Sequence, residues 1–452
     1  MRSMQRLAIL ALLGAGLGLP ALDDAAEAVT PTLVIRHARV FDGRALLPGN
    51  DHEILIGGGK VLAIHADSNN PEQAFPTSRI IDAGGRFVIP GLIDAHVHLT
   101  VVVGVPQLRD YDPGYISARA GVEARATLMR GFTTVRDMAG PSFGLKQAID
   151  EGLLEGPRIF PSGAMISQTS GHADFRQRVD TPQRRWTGRL DALERLGYGL
   201  VADGPDEVAA GAREQLRLGA TQLKLAAGGG VSSNYDPIDS VQYSEAELRA
   251  AVQAATDFGT YVAVHAYTPT AIRRSIDAGV RSIEHAQLID EPTMKLVAER
   301  GVFLSPQAYL FGVDTPAAAV QTPSQRAKAA VVAAGLDRMM QLAKKYKVRL
   351  AFGTDLFGAP QMFGAESQEF GARLRWFSAG EILQQATSIN GDLLAMSGTR
   401  NPYGRLGVIE EGALADLLIL DGNPLEDIRI LERPDQTIRV IVKDGLVIKT
   451  TL

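Results

Sequence analysis

The chain contains no cysteine, and aromatic residues make up 6% of it. Without thiols there can be no disulfide, no cysteine nucleophile and no thiolate ligand for a metal. A metal site would have to use histidine, carboxylates or a less usual ligand, and the 452 residues include 8 histidines. Long runs of like charge are also missing, and 51 acidic against 46 basic residues leave a net charge of −5. This balance argues against nucleic acid as a partner.

Long apolar runs are missing too, apart from one near the start. Residues 1–28 carry Arg2 and Arg6, then an apolar stretch at 7–19, then Ala26 and Ala28 around a small-x-small site. This order is typical of a cleaved signal peptide. A membrane anchor is the alternative, but the apolar stretch is short for a bilayer. We therefore expect an exported protein, periplasmic or secreted, with no membrane span in the mature chain.

Short apolar runs separated by turn residues occur at both ends of the chain. They span residues 33–41, 52–56 and 60–65 near the start, and 415–420, 437–442 and 446–449 near the end. Such runs, bounded by Asp, Gly and Pro, are typical of strands in a small β domain. We therefore expect residues 29–90 and 401–452 to be two parts of one β-sandwich domain.

Between these parts, residues 91–400 are predicted to form one large domain of the α/β class. Strands are predicted at 88–93, 133–136, 158–161, 221–225, 261–264, 282–284, 302–305 and 349–352, with helical stretches between them. Eight βα units in this order are typical of a (β/α)8 TIM barrel. A doubly wound sheet is the alternative, but no glycine-rich phosphate-binding turn follows the first strand.

The run Pro-Gly-Leu-Ile-Asp-Ala-His-Val-His, residues 90–98, ends the first predicted barrel strand. Side chains two residues apart on a strand point to the same side, so His96 and His98 can reach one point. Two imidazoles at one point form half of a metal site. A chance His-x-His pair is the alternative when this run is taken alone.

Four more ligand-type residues belong to later predicted strands: His265, His285 and Asp355 come where such strands end, and Lys224 lies inside one. Active sites of barrels form at this end of the strands. Each residue has a structural alternative: a core histidine, a helix cap or an edge-strand lysine. A lysine pointing into a barrel also needs a partner, because burying its charge alone is costly. Together the set predicts one centre.

On these motifs and on the segment Gly-Val-Ile-Glu-Glu-Gly-Ala-Leu-Ala-Asp-Leu-Leu-Ile-Leu-Asp-Gly-Asn-Pro-Leu, residues 407–425, the chain resembles the amidohydrolase superfamily. The subtype it resembles holds two metals bridged by a carboxylated lysine. The resemblance implies one metal on His96, His98 and Asp355, a second on His265 and His285, and a carboxylated Lys224 between them. Zinc is the default for nitrogen and oxygen ligands, although manganese, cobalt and iron remain possible.

The resemblance also implies a mechanism in which the two metals lower the pKa of a bridging water, and the resulting hydroxide attacks the substrate carbonyl. Asp355 would accept the proton and pass it to the leaving nitrogen. His172, in Ser-Gly-His-Ala-Asp, would act at the scissile carbonyl or at the substrate carboxylate, and Tyr235 would bind substrate. Packing of the loop alone is the alternative for Tyr235. Ala173 departs from the glycine of the family motif.

The branch that the chain resembles contains Xaa-Pro dipeptidases, carboxypeptidases of acylated amino acids and ochratoxin-hydrolysing enzymes. It implies a homo-oligomer that hydrolyses an amide and releases a C-terminal amino acid from an N-acyl amino acid or dipeptide, including ochratoxin A. An aromatic substrate could contact Phe175, Tyr309, Leu310, Phe311, Phe357 and Phe363, which could equally pack a lid or a subunit interface. Two other functions remain open: hydrolysis of cyclic amides, as in imidazolonepropionase, and non-catalytic binding of a metal or ligand.

Overall fold

The computed structural model describes residues 29–66, 75–180, 188–312 and 322–452. The predicted signal peptide, residues 1–28, lies outside the described residues. Within the described ranges, no helix combines the length and the apolar character needed to cross a membrane.

The elements alternate as the sequence predicts, with strands alone at both ends and strands followed by helices between them. The strands are β1 (Leu33–Val40), β2 (His52–Gly57), β3 (Lys60–Ala66), β4 (Arg79–Asp82), β5 (Phe87–Pro90), β6 (Leu92–Val97), β7 (Phe132–Asp137), β8 (Arg158–Pro161), β9 (Met165–Ser167), β10 (Gly199–Val201), β11 (Leu223–Ala226), β12 (Val262–Ala266), β13 (Ser282–His285), β14 (Phe303–Ser305), β15 (Leu417–Leu420), β16 (Ile438–Lys443) and β17 (Leu446–Thr450). The α-helices are α1 (Pro113–Met129), α2 (Phe143–Asp150), α3 (Ala192–Arg195), α4 (Pro205–Leu218), α5 (Glu245–Asp257), α6 (Pro269–Ala278), α7 (Glu291–Glu299), α8 (Pro323–Lys345), α9 (Pro360–Phe363), α10 (Gln368–Arg373), α11 (Ala379–Gln384), α12 (Asn390–Ala395) and α13 (Pro434–Thr437). Short 3-10 helices span Val105–Asp110, Gly398–Arg400 and Ile428–Glu432, and a π-helical turn spans Gln385–Ile389.

Strands from both chain ends form one small β domain. The order is β17-β16-β15-β5-β1-β2-β3, and β4 pairs with β1. The register of β1 against β2 shifts between Ile35 and Ala38, where His37 has a φ of 50°. A bulge of this kind bends a strand, so β1 pairs with β4 before the bend and with β5 after it. The bend gives two layers, one with β2, β3 and β4 and the other with β5, β15, β16 and β17, and β1 takes part in both. The layers enclose their own apolar core and form the predicted β-sandwich. The limits at residues 90 and 401 stay predictions.

The parallel strands of the middle segment form the predicted barrel. One sheet has the order β6-β7-β8 and the other β10-β9-β11-β12-β13-β14. Residues 349–355 close the gap between β14 and β6. There the N–H of Ala351 donates to the carbonyl of Leu304 at 2.8 Å, and the N–H of Ala95 donates to that of Phe352 at 2.8 Å. The eighth predicted strand is therefore an extended segment that hydrogen-bonds to both neighbours.

The first predicted strand, 88–93, is wrong as a single element because it divides at Gly91. β5 belongs to the β-sandwich and β6 to the barrel. The N–H of Gly91 donates to the carbonyl of Asp416 at 2.8 Å, and the next N–H, of Leu92, donates to Gly131 at 3.0 Å. A side chain on Gly91 would overlap Thr133, so glycine is required where the chain passes between the two domains.

Candidate active site

The barrel gathers four of the predicted imidazoles at one end of its strands. His96 lies at the end of β6, His98 just beyond it, His265 in β12 and His285 at the end of β13. The ring centroids of His96 and His98 lie 5.3 Å apart, those of His96 and His285 5.2 Å apart, and those of His265 and His285 4.4 Å apart. All four side chains are buried. The structure therefore brings together histidines that are up to about 190 residues apart in sequence.

Asp355 supplies a carboxylate to the same cluster. Its Oδ1 lies 3.0 Å from Nε2 of His98 and 3.6 Å from Nε2 of His96. One potential ligand atom from each of His96, His285 and Asp355 lies within 4.8 Å of the others. Burial raises the pKa of Asp355, but its electrostatic interaction with His96 and its hydrogen bond and electrostatic interaction with His98 outweigh burial and leave the pKa below its ordinary value. The carboxylate is thus ionised and faces imidazole nitrogens, as a metal ligand requires.

A second set of hydrogen bonds fixes the orientation of the imidazoles. The outer nitrogens lie 2.8 Å from Oε2 of Glu284 for His96, 3.2 Å from the carbonyl of Ala139 for His98, 3.0 Å from that of Gly229 for His265 and 2.7 Å from Oε1 of Gln307 for His285. Each ring therefore has its other nitrogen available to the centre. Such partners select the tautomer and hold the ring of a metal-binding histidine.

Burial favours the neutral form of three of these imidazoles, those of His96, His265 and His285. It lowers the pKa of His96 to about 4 and that of His285 to about 3, and it lowers the pKa of His265 well below its usual range. A neutral imidazole is the form that binds a metal ion. The backbone is strained at two of the predicted ligands, because φ is 81° at His285 and 56° at Asp355. Non-glycine residues in this region are uncommon and cluster at functional sites.

Lys224 lies in β11, whose register places it beside Ala263 of β12. Its side chain is 1% exposed, and its Nζ has no hydrogen-bond partner among the described residues. Burial lowers the pKa of Lys224 to about 8. An unpaired buried amine is costly, so a further group is needed to compensate it. The orphaned amine, four imidazoles and one carboxylate fit a centre for divalent metal ions.

His172, predicted from the loop after the third barrel strand, lies directly on the cluster. Its ring stacks on that of His265 with the centroids 4.1 Å apart. Its Nδ1 lies 2.8 Å from Oγ of Ser233 and 3.5 Å from Oδ2 of Asp236. A side chain on Gly230 would overlap the imidazole, so the glycine run after Lys224 provides the space that His172 occupies.

Tyr235 is the predicted site residue with the weakest link to the cluster. It is 40% exposed, and the guanidinium of Arg178 lies 5.4 Å from its ring centroid. It shares an open pocket with residues from four segments of the chain, listed here: Val105, Pro106, Asp174, Phe175, Arg176, Gln177, Leu193, Ser232, Ser233 and Asn234. Because Ser233 also bonds to His172, this pocket adjoins the cluster. A substrate-binding role for Tyr235 stays a prediction.

The aromatic residues predicted to line a substrate pocket divide into two groups. Phe357 makes an edge contact with His98 at 5.3 Å, and Phe311 lies 6.3 Å from Tyr267. Phe311 and Phe363 are both buried and pack in the main core. Phe357 is therefore the member of the set for which a contact with a predicted ligand is found.

Sequence reasoning missed several residues at this site, among them Glu284, Arg136 and Tyr267. Tyr267 lies 4.9 Å from His265 and 5.2 Å from His285 between ring centroids. Burial, with the nearby carboxylates of Asp355 and Asp236, raises its pKa well above the ordinary value, so it stays a neutral phenol. Its position two residues after His265 was a usable signal, since that spacing returns a side chain to the same face.

Comparison with known proteins gives consistent matches over nearly the whole described chain. Residues 87–447 match the profile described as Amidohydrolase family. The ochratoxinase of Aspergillus niger is 30% identical over 406 residues, covering 86% of this chain and 82% of that protein. Its crystal structure has a TM-score of 0.80 at 25% identity, covering 92% of this chain and 95% of that one.

Two further solved structures are similar over their full length. A prolidase complexed with N-methylphosphonate-L-proline is 35% identical, has a TM-score of 0.83 and covers 93% of this chain and 100% of that one. A Xaa-Pro dipeptidase with methionine in its active site is 32% identical, has a TM-score of 0.76 and covers 92% of this chain and 99% of that one. These likenesses confirm the predicted fold, a barrel joined to a β-rich domain.

Proposed function

The chain belongs to the amidohydrolase family, and from this premise we propose that it releases the C-terminal amino acid of an N-acyl amino acid or dipeptide. That it is a hydrolase of carbon–nitrogen bonds follows from the family and from the ochratoxinase and prolidase relatives. The observation that carries the proposal is the convergence of His96, His98, His265, His285, Asp355 and the unpaired Lys224, with His172 stacked beside them.

The relatives support an amino-acid leaving group. One is named for ochratoxin, one is solved with a phosphonate of L-proline, and one with methionine. Ochratoxin A is an aromatic amide of phenylalanine, the phosphonate of L-proline is an analogue of such an amide, and methionine is a free amino acid. We therefore include ochratoxin A, cleaved to ochratoxin alpha and phenylalanine, among the candidate substrates.

The residues that would hold metal ions divide into two groups around Lys224. One ion would be held by His96, His98 and Asp355 and a second by His265 and His285, and Lys224, carboxylated by CO₂, would supply further oxygen ligands. Carboxylation would convert a buried cation without a partner into an anionic oxygen ligand. Bound divalent ions, with zinc as the default, would lower the pKa of a bound water and polarise the amide carbonyl.

The chain's own groups would then bind, orient and move protons. The ionised carboxylate of Asp355 would accept the proton of the attacking water and pass it to the leaving nitrogen. His172, held by Ser233, would orient the scissile carbonyl or the substrate carboxylate. Tyr235 would contact the substrate from the neighbouring loop. The rings of Tyr267 and Phe357 would exclude water beside the imidazoles.

The direct test is hydrolysis by the purified protein loaded with zinc. The panel contains ochratoxin A, N-acyl-phenylalanines, Xaa-Pro dipeptides, and hydantoin and imidazolone rings, with released amino acids measured by chromatography. We expect free amino acids from linear amides and none after Asp355→Asn. Opening of the cyclic substrates without cleavage of the linear ones would favour the cyclic-amide hydrolase instead. No turnover of any member would contradict the proposal.

Export and assembly are separate proposals. The segment that predicts export lies at residues 1–28, outside the described residues, and N-terminal sequencing of the protein from culture fractions tests it. A homo-oligomer is proposed from the family resemblance, and light scattering of the purified protein measures the number of subunits.

A further inference from the structure

Lys328 of α8 holds the loop that follows the Lys224 strand. Its Nζ donates hydrogen bonds to three carbonyl oxygens of that loop, those of Gly230 at 3.0 Å, Ser233 at 2.9 Å and Asp236 at 2.7 Å. An ammonium group has three donors, so all of them are used within seven residues of one loop. The same group lies 3.8 Å from Oδ1 of Asp236. The side chain of Lys328 is 14% exposed, so these bonds replace most of its hydration.

The base and the tip of this loop have different supports. At the base, Gly228 pairs with Val241, and the N–H of Gly229 donates to the carbonyl of Ser240 at 3.2 Å. At the tip, the main-chain carbonyls turn towards α8 and accept hydrogen bonds from Lys328. Gln325, one turn earlier on that helix, adds a hydrogen bond from its Nε2 to the carbonyl of Ser232 at 2.6 Å. The tip is therefore fixed by a helix that follows it by about 90 residues.

The tip of the loop in turn orients His172. Oγ of Ser233 lies 2.8 Å from its Nδ1, and Oδ2 of Asp236 lies 3.5 Å from the same atom. The N–H of Gly230 donates to Oδ2 of Asp236 at 2.7 Å, which fixes that carboxylate. The carbonyl oxygens of Gly230, Ser233 and Asp236 also accept hydrogen bonds from Lys328.

We propose that Lys328 is a positioning residue for catalysis, which sets the orientation of the His172 imidazole through the Gly230–Asp236 loop. The inference rests on the proposed function in one respect, the role of His172 towards the substrate. A packing role alone does not account for the geometry. An apolar side chain would fill the space without desolvating a charge, whereas Lys328 directs all three of its donors at the residues that surround His172.

The first experiment compares Lys328→Met and Lys328→Arg with Lys345→Met, using a substrate that the wild-type protein hydrolyses. Lys345 lies at the other end of the same helix, and its side chain is 60% exposed. We expect Lys328→Met to lower kcat at least tenfold, with KM changed less than threefold. Lys328→Arg should recover part of the loss because it keeps the charge and several donors, and Lys345→Met should match the wild type. Metal content should stay at the wild-type value in all three variants, and each should remain folded at the assay temperature.

A double-mutant cycle tests whether Lys328 acts through His172. We expect Lys328→Met to cause no further loss of kcat in a His172→Asn background. Additive losses, or a Lys328→Met protein as active as Lys345→Met, would overturn the inference. Loss of metal in Lys328→Met would also overturn it, since the lysine would then support the metal centre. If Lys328→Met fails to fold, Gln325→Ala takes its place in the cycle, with a smaller expected loss of kcat.

A readout without turnover separates this inference from the proposed function. The ¹⁵N–¹H signals of the His172 imidazole, assigned by their absence in His172→Asn, should shift in Lys328→Met and stay in place in Lys345→Met. If wild-type protein cleaves none of the panel while these signals shift, the proposed function fails and the positioning role stands. If the panel is cleaved and the signals stay unchanged, the positioning role fails.

Discussion

Arg136 holds both carboxylate oxygens of Glu284, at 2.8 and 2.9 Å, and both side chains are fully buried. Oε2 of the same carboxylate lies 2.8 Å from Nδ1 of His96. Burial raises the pKa of Glu284, but Arg136 and His96 outweigh it, so the pKa lies well below its ordinary value and the group is an anion. Hydrogen bonds thus connect Arg136, inside the barrel, through Glu284 to His96, a predicted metal ligand.

These hydrogen bonds predict that Glu284→Gln weakens metal binding. A neutral amide would accept a weaker hydrogen bond from His96, so the ring would be held less firmly and its free nitrogen would be less basic. Loss of such a partner costs about 10–100-fold in metal affinity. Competition with a chromophoric chelator measures it, and Glu291→Gln, on a partly exposed helix start, is the control. Unchanged affinity in Glu284→Gln would contradict the proposed role.

Removing the other partner should affect stability more than metal binding. Arg136→Met would leave the buried Glu284 carboxylate without its cation, which costs about 3–5 kcal/mol in the free energy of unfolding. Urea denaturation of metal-free protein measures this loss. Arg136→Met combined with Glu284→Gln should recover part of it, because no uncompensated charge then remains. If the double variant is no more stable than Arg136→Met, the loss has another cause.

Activation of the metal-free protein should depend on the protonation of Lys224. Only the neutral amine reacts with CO₂, and burial lowers the pKa of Lys224 to about 8 from an ordinary 10.5. At a fixed concentration of dissolved CO₂, the rate of activation by CO₂ and metal should therefore rise with pH up to about 8 and then level off. Initial rates after reconstitution measure this, and ¹³C-bicarbonate should give a carbamate signal that Lys224→Arg lacks. A rate that still rises towards pH 10.5 would show an unperturbed amine.

The lowered pKa of Lys224 also determines how this residue changes the free energy of unfolding with pH. Because the folded pKa lies below that of the unfolded chain, the unfolded state binds the proton more tightly between pH 8 and 10.5. The free energy of unfolding of metal-free protein should therefore gain from Lys224 as the pH rises through this window. Lys224→Met should remove that gain, and urea titrations at several pH values measure the difference.

Strand periodicity and barrel closure account for the predicted residues that the structure brings together. Successive parallel strands end at the same rim, so His265, His285 and Asp355 could be assigned to one place without knowledge of any contact. His96 and His98 followed from their spacing of two. The limits of the predicted strands failed where a single glycine, Gly91, divides one apolar run between two domains.

Glu284 shows why the supporting residues could not be found in the same way. Adjacent residues on a regular strand face opposite sides, so alternation would turn Glu284 away from the centre if His285 points into it. The φ of 81° at His285 breaks that alternation, and both side chains reach His96. Lys328 is further from prediction still, because helix periodicity marks only a polar face and not the loop that the face will meet.

Gly230→Ala should displace His172 without disturbing the ligands. Its new methyl group would overlap the imidazole, so the ring must leave its stack on His265. We expect kcat to fall about tenfold or more, about 1.4 kcal/mol per factor of ten, with metal content unchanged. Gly144→Ala is the matched control, because a methyl group there meets open space in α2 and should stabilise the protein by up to about 1 kcal/mol. An active Gly230→Ala protein would argue against a role for His172.

Phe357 offers a test of substrate class. Its ring is partly buried and meets His98 edge-on at 5.3 Å, so a substrate bound at the imidazoles can pack on its remaining surface. Burial of an aromatic side chain contributes about 1.5–3 kcal/mol. If the leaving amino acid is aromatic, Phe357→Ala should lower kcat/KM for N-acetyl-phenylalanine about tenfold and for N-acetyl-alanine by much less. Phe258→Ala, on an exposed helix end, should change neither. Equal losses of kcat/KM on both substrates would show that Phe357 only holds His98 in position. A preference for aromatic amino acids would then have to arise at the pocket beside Tyr235.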